Sequence, residues 1–120
     1  MKIERIDHIV LTVADVEATC RFYAEVCGME VVTFGEGRKA LAFGQQKINL
    51  HEAGKEFEPK ADRPVPGSAD LCLIARGSLV EVIEHLEKCQ IRLVAGPAKK
   101  DRSAGRDRVG LHSRCRYEPD

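Results

Sequence analysis

The stretch Ile3-Glu-Arg-Ile-Asp-His-Ile-Val-Leu-Thr-Val13 decides the fold. It is a β-branched run, and successive side chains of a strand point to opposite faces. Ile9, Leu11 and Val13 share one face, and Ile6, His8, Val10 and Thr12 share the other. A helix that follows such a strand covers one face only. The other is left to line a cleft, and it carries His8. Imidazole is the commonest metal-binding side chain. A lone histidine on a half-apolar strand is more often a hydrogen-bonded core residue, so the strand by itself leaves both readings open.

Working outward, Asp15 offers a carboxylate to the unpaired N–H groups of a first helical turn. Val16, Cys20, Tyr23 and Cys27 then recur at helical spacing, and Gly28 suits a left-handed C-cap. A helix is predicted over 15–27, with Phe22 and Tyr23 packing in its core face. Strands follow at Met29–Phe34, Arg38–Phe43 and Lys47–Glu52, separated by the turn residues Gly35-Glu-Gly37 and Gly44-Gln-Gln46. In the last of these, Ile48 and Leu50 share one face and Lys47, Asn49 and His51 the other. The unit reads β-α-β-β-β.

Residues 53–67 hold Pro59, Pro64, Pro66, Gly54 and Gly67 and read as an extended connector. The opening pattern then recurs. Ala69–Ile74 reads as a strand. Ser78-Leu-Val-Glu81 is a capping box, in which each side chain satisfies the other residue's backbone N–H. Leu79, Val82, Ile83, Leu86 and Gln90 trace a helical face closed by Leu86 to Cys89, and Ile91–Val94 reads as a strand. In register, Asp70 stands where His8 stands in the first copy. An internal repeat outranks any single motif as evidence of architecture. After Val94 the repeat fails, because residues 95–120 are rich in Arg, Gly, Ser and Asp and carry only Val109-Gly-Leu111 as an apolar cluster.

The fold class expected is α+β, with paired βαβββ modules of which the second is incomplete at its C-terminal end. Module one spans 1–52, the connector 53–67 and module two 68–98, and 99–120 forms an atypical basic tail. Among its 120 residues, 43% are hydrophobic and 32% charged, with zero net charge. That balance is ordinary for a soluble domain and selects no anionic partner. The tail differs, since seven Lys/Arg against Asp101 and Asp107 give residues 99–116 a local net of +5. No run approaches the ~20 apolar residues of a membrane span, and no basic-then-apolar leader opens the chain. Cys20, Cys27, Cys72, Cys89 and Cys115 show no paired spacing, which suits small core residues in a reducing cytoplasm.

The opening Asp7-His-Ile-Val-Leu-Thr-Val-Ala-Asp15 resembles the vicinal oxygen chelate superfamily: glyoxalase I, extradiol dioxygenases, and fosfomycin and bleomycin resistance proteins. Arg38-Lys-Ala-Leu-Ala-Phe-Gly44, Gln46-Lys-Ile-Asn-Leu-His-Glu52, Phe57-Glu-Pro-Lys-Ala61 and Pro66-Gly-Ser-Ala-Asp-Leu-Cys72 are more specific. They are similar to single-domain glyoxalase domain-containing proteins and their virulence-protein relatives. The resemblance covers residues 1–98. It implies modules that curl around a divalent metal, usually in a homodimer, with ligands from the first and last strands of each module. Carried over by position, His8 is the first ligand. The fourth-strand position falls on Asn49, with His51 two residues on, and the second module offers Asp70. The family's closing glutamate segment is absent.

His8, His51 and Asp70 thus remain as a metal-ligand set of two imidazoles and one carboxylate, which does not choose among Fe, Mn, Ni and Zn. Each has a plainer reading, His51 as a strand-end residue and Asp70 as a partner of Arg5 or a turn cap. The resemblance implies either a metal-dependent lyase, isomerase or dioxygenase acting on a small vicinal-oxygen metabolite, or a metal-free protein that sequesters a small ligand. The missing glutamate implies impaired catalysis. No membrane partner is expected. A nucleic-acid-binding arm rests on the tail's charge alone and is not favoured. The tail has a second explanation. Residues 99–120 can be encoded so that deleting one base gives Lys-Lys-Thr-Gly-Ala-Arg-Ala-Gly-Ile-Glu-Ser-Val-Tyr-Ile-Arg-Asp-Ala-Gly-Met-Asn-Leu. That string resembles the family's missing strands, so the tail reads as an out-of-frame product.

Overall fold

The structure is a computed structural model that describes residues 1–93, 98–99, 108–112 and 115–116, with side chains through residue 91. It comprises two compact units, Met1–Ser68 and Ala69–Asp120.

In the first unit, β1 (His8–Val13) leads into α1 (Val16–Cys27), β2 (Glu30–Phe34), β3 (Arg38–Phe43) and β4 (Gln46–Glu52). The sheet order is β1-β4-β3-β2, with β1 parallel to β4 and the other pairs antiparallel. The helix makes the parallel pairing possible, because parallel neighbours need a long crossover. Asp15 caps it as expected, its carboxylate accepting from Ala18 N–H at 3.0 Å. Gly28 ends it at φ 66°, its N–H donating to the Ala24 carbonyl. Phe22 and Tyr23 meet edge to face, with centroids 5.1 Å apart.

The core sits on the two central strands. Ala40, Leu41, Ile48 and Leu50 are buried, and Leu41 and Ile48 are essentially inaccessible. Full burial of each large side chain stabilises the unit by about 1.5–3 kcal/mol. Leu41 pairs with Ile48, and Ile48 with Ile9, so these three share a face. Cys20 of α1 senses Lys39, which shares that face through its pairing with Leu50, so the helix lies on that side. The sequence extends the first strand back to Ile3, but β1 starts at His8. His8 pairs with Lys47 near the start of β4, which leaves residues 3–7 without a strand to pair with, and Ile3 and Ile6 are exposed.

In the second unit, β5 (Cys72–Arg76) precedes α2 (Leu79–Lys88), β6 (Arg92–Leu93), β7 (Ala98–Lys99), β8 (Arg108–His112) and β9 (Cys115–Arg116). The capping box is present, with Glu81 N–H donating to Ser78 Oγ at 3.2 Å and Ser78 N–H to Glu81 Oε2 at 3.3 Å. Val82 and Leu86 are the buried face of α2. Two expectations are corrected. The strand predicted over Ala69–Ile74 lies at Cys72–Arg76, because its ladder is set by the residues β8 presents to it. Residues 95–120, expected to hold no strand, supply three, and the Val109-Gly-Leu111 cluster forms the middle of β8. Period-2 alternation in that cluster is enough to pair with an otherwise open strand edge. The pairing is antiparallel, whereas β1 and β4 are parallel, so the second unit does not repeat the first unit's closure. The basic side chains of 99–116, the His112 side chain and Val94 lie outside the described residues.

Candidate functional site

The face of the first sheet opposite α1 is laid out in rows by the strand register. One row runs His8, Lys47, Ala42, Glu30, and the next runs Val10, Asn49, Ala40, Val32. A third carries Thr12 beside His51 on one side and Arg38 beside Phe34 on the other. Val10 and Val32 are 40% and 36% exposed, so the face is only partly covered.

His8 opens β1 with its ring half-exposed. Its Nδ1 lies 2.8 Å from Asp7 Oδ2. The hydrogen bond from His8, then the nearby charges of His8, Arg5 and Lys47, hold the Asp7 carboxyl below its usual value against some desolvation. Asn49 occupies the middle row, and its Oδ1 is buried without a hydrogen-bond partner. Orphaned buried acceptors are rare and point to an absent partner.

His51 stands farther along β4, its ring edge-on to Phe57 with centroids 5.8 Å apart. Phe57 belongs to the connector. The Arg38 guanidinium lies 4.1 Å from the Phe57 ring centre, and Lys47 Nζ lies 5.4 Å from that of Phe34. Glu56 accepts from Gly54 N–H at 3.0 Å. Backbone N–H bonds, more than the charges of Lys60 and His51, hold its carboxyl below the usual range.

Of the sequence-predicted ligands, His8 and His51 both reach this face. They are not neighbours. His51 pairs with Thr12, four residues past His8, a separation of about 13 Å along the strand, so one ion does not bridge both rings. Asn49 pairs with Val10 and is the nearer partner of His8. Asp70 lies in the second unit, exposed and two residues ahead of β5. Among the described residues no three His, Cys, Asp or Glu side chains gather in a group that could hold a metal. The residues of the first unit fit a cation in part, with an imidazole oriented by a carboxylate and an orphaned amide oxygen in the adjoining row.

Sequence reasoning placed Lys47, Asn49 and His51 on one face but missed Arg38, Phe34 and Phe57. Alternation along β3 and β2 carries the signal for the first two. Phe57 has none, because its approach depends on the path of the connector. No helix among the described residues is long and apolar enough to cross a membrane.

The sequence matches the glyoxalase/bleomycin resistance protein/dioxygenase superfamily over residues 5–112. It is 52% identical over 105 residues to virulence protein STM3117 of Salmonella typhimurium, a match that spans 88% of this chain and 73% of that one. The crystal structure of that protein superposes with a TM-score of 0.80, covering 88% of this chain and 83% of the other. Glyoxalase domain-containing protein RDO1 of Mycosarcoma maydis is 49% identical over 105 residues, 88% of this chain, but the chain spans only 59% of that relative's length. The integron cassette protein VCH_CASS1 of V. cholerae is 46% identical with a TM-score of 0.81, over 93% of this chain and 86% of its own.

Proposed function

Because the chain belongs to the glyoxalase/bleomycin resistance protein/dioxygenase superfamily, we propose that it is a metal-dependent lyase, isomerase or dioxygenase of glyoxalase type. Its substrate is a small metabolite with two vicinal oxygens. The observation that carries this reading is the buried, partnerless Oδ1 of Asn49 one row from His8. A buried acceptor without a donor costs about 1–3 kcal/mol, and a cation relieves that cost. Asp7 at Nδ1 presents Nε2 of His8 as the lone-pair nitrogen, the arrangement common to metal-ligating histidines. His8 and Asn49 are the proposed donors of the first unit. A bound divalent cation supplies the positive charge that polarises a substrate oxygen. His51, at the far end of the face, is left to hydrogen-bond substrate rather than the ion.

Metal analysis of the purified protein tests the reading. Near-stoichiometric transition metal, lost in His8→Ala and reduced in Asn49→Leu, is expected. A metal-free protein, or metal content indifferent to His8→Ala, refutes it. A second reading, a metal-free protein that sequesters a small ligand, draws on the exposed Val10 and Val32 of the same face. It stands if the metal-free protein binds an apolar ligand saturably. Under either reading the assembly proposed is a homodimer, supported by the outer edge of β1, which pairs with no strand among the described residues, and by the exposed Ile3 and Ile6 beside it.

A further inference from the structure

We propose that the open face of the first unit selects an organic anion, with its acidic group held by Arg38 and Lys47 and its apolar body over Val10 and Val32. This rests on the reading that the face is the substrate site.

Three observations carry it. Arg38 and Lys47 are exposed cations on this face, and neither makes an ion pair among the described residues. Glu30 is the carboxylate that the register puts on the face, at the end of the row two strands from Lys47. Each cation is laid against an aromatic ring, Arg38 on Phe57 and Lys47 on Phe34. A ring face orients a cation for about 0.5–1 kcal/mol at an exposed site without neutralising it. Phe34 also pairs directly with Arg38, so the ring that Lys47 Nζ approaches is carried by the cross-strand neighbour of Arg38. The Lys47 charge also reaches Asp7 beside His8.

The floor suits the rest of such a ligand. Val10 and Val32 stand exposed at the two ends of the row whose middle holds Asn49 and the buried Ala40, and the half-buried Ala42 lies in the adjoining row. An apolar body of a few carbons gains contact there. A guanidinium matches a carboxylate bidentately, which favours a carboxylic acid over a merely polar ligand.

The test uses the full chain and two probes that differ in one charge, 3-methyl-2-oxobutanoate and its methyl ester, measured by calorimetry with and without EDTA. The acid is expected to bind at least about tenfold more tightly than the ester, the usual scale of a charge-assisted contact. Arg38→Gln and Lys47→Gln should each remove most of that preference, with unchanged circular dichroism. Lys55→Gln, exposed in the connector, should leave it intact. A preference for the acid that survives EDTA supports the anion corner even if the protein proves metal-free. Equal binding of acid and ester, failure of both to bind, or a preference indifferent to both substitutions overturns it, even if metal is found.

Discussion

Exchanging the residues at the two helix ends tests how this chain stops its helices. After α2, Gln90 adopts φ 58°, a left-handed conformation that ordinary side chains avoid. Its N–H donates to Glu87 carbonyl and the Ile91 N–H to Leu86 carbonyl, both at 3.0 Å. Ile91 and Leu86 are both buried, which completes the apolar contact typical of this cap. Gln90→Gly keeps every one of these bonds and removes the Cβ conflict, a gain of about 1–2 kcal/mol. The greater freedom of glycine in the unfolded chain offsets about 0.5–1 kcal/mol. The net expectation is a stabilisation of roughly 0.5–1 kcal/mol. Gln90→Ala retains the Cβ and should change stability by less than about 0.5 kcal/mol. At the end of α1, Gly28 has φ 66° and nothing within 4 Å of an added Cβ. Gly28→Ala therefore isolates backbone strain and should destabilise by about 1 kcal/mol or more. Urea unfolding monitored by circular dichroism reads all three, with unchanged slopes certifying that the denatured states are comparable. Gln90→Gly that fails to stabilise, alongside a Gly28→Ala without cost, would refute the strain argument at both caps.

Other outcomes follow from the core, from the buried acids and from the tail. Leu41→Ala, at a fully buried position on a central strand, should cost about 2–5 kcal/mol in the same urea assay. Burial raises the Cys20 thiol above its ordinary value, with Lys39 opposing, and burial likewise raises the Tyr23 hydroxyl. Because the folded state holds these protons longer than the unfolded one, stability is full below the ordinary values of about 8.5 and about 10 and falls as pH rises through them. Thermal melts between pH 7 and 11 should show that decline, and Tyr23→Phe should flatten its upper part. Deleting one base ahead of Lys99 should yield a chain with a higher melting temperature, and coding DNA incompatible with that shifted frame would sink the out-of-frame explanation.

Much of the first unit was legible in residue spacing. Asp15 and Gly28 bracket α1 because capping is a local matter between a side chain and the nearest unpaired backbone groups. Alternation in the Lys47–Glu52 run placed Asn49 and His51 on one face, since side-chain direction along a strand depends on nothing beyond the strand. Ser78 and Glu81 announced the second helix for the same reason. The shortened first strand was not legible, because where a strand begins depends on where its neighbour does. Nor was β8, whose Val109-Gly-Leu111 core is too short to declare itself without the edge of β5.

The sequence by itself determined the elements of the first unit, the N-caps of both helices and the family. Only the tertiary structure decided that His8 stands near Asn49 and apart from His51, that Phe57 comes back to hold Arg38, and that the second unit closes antiparallel. The difference is one of range. Local torsions and neighbouring hydrogen bonds write themselves into adjacent residues, whereas strand register and the return of a connector are settled by contacts between segments that no spacing rule ties together.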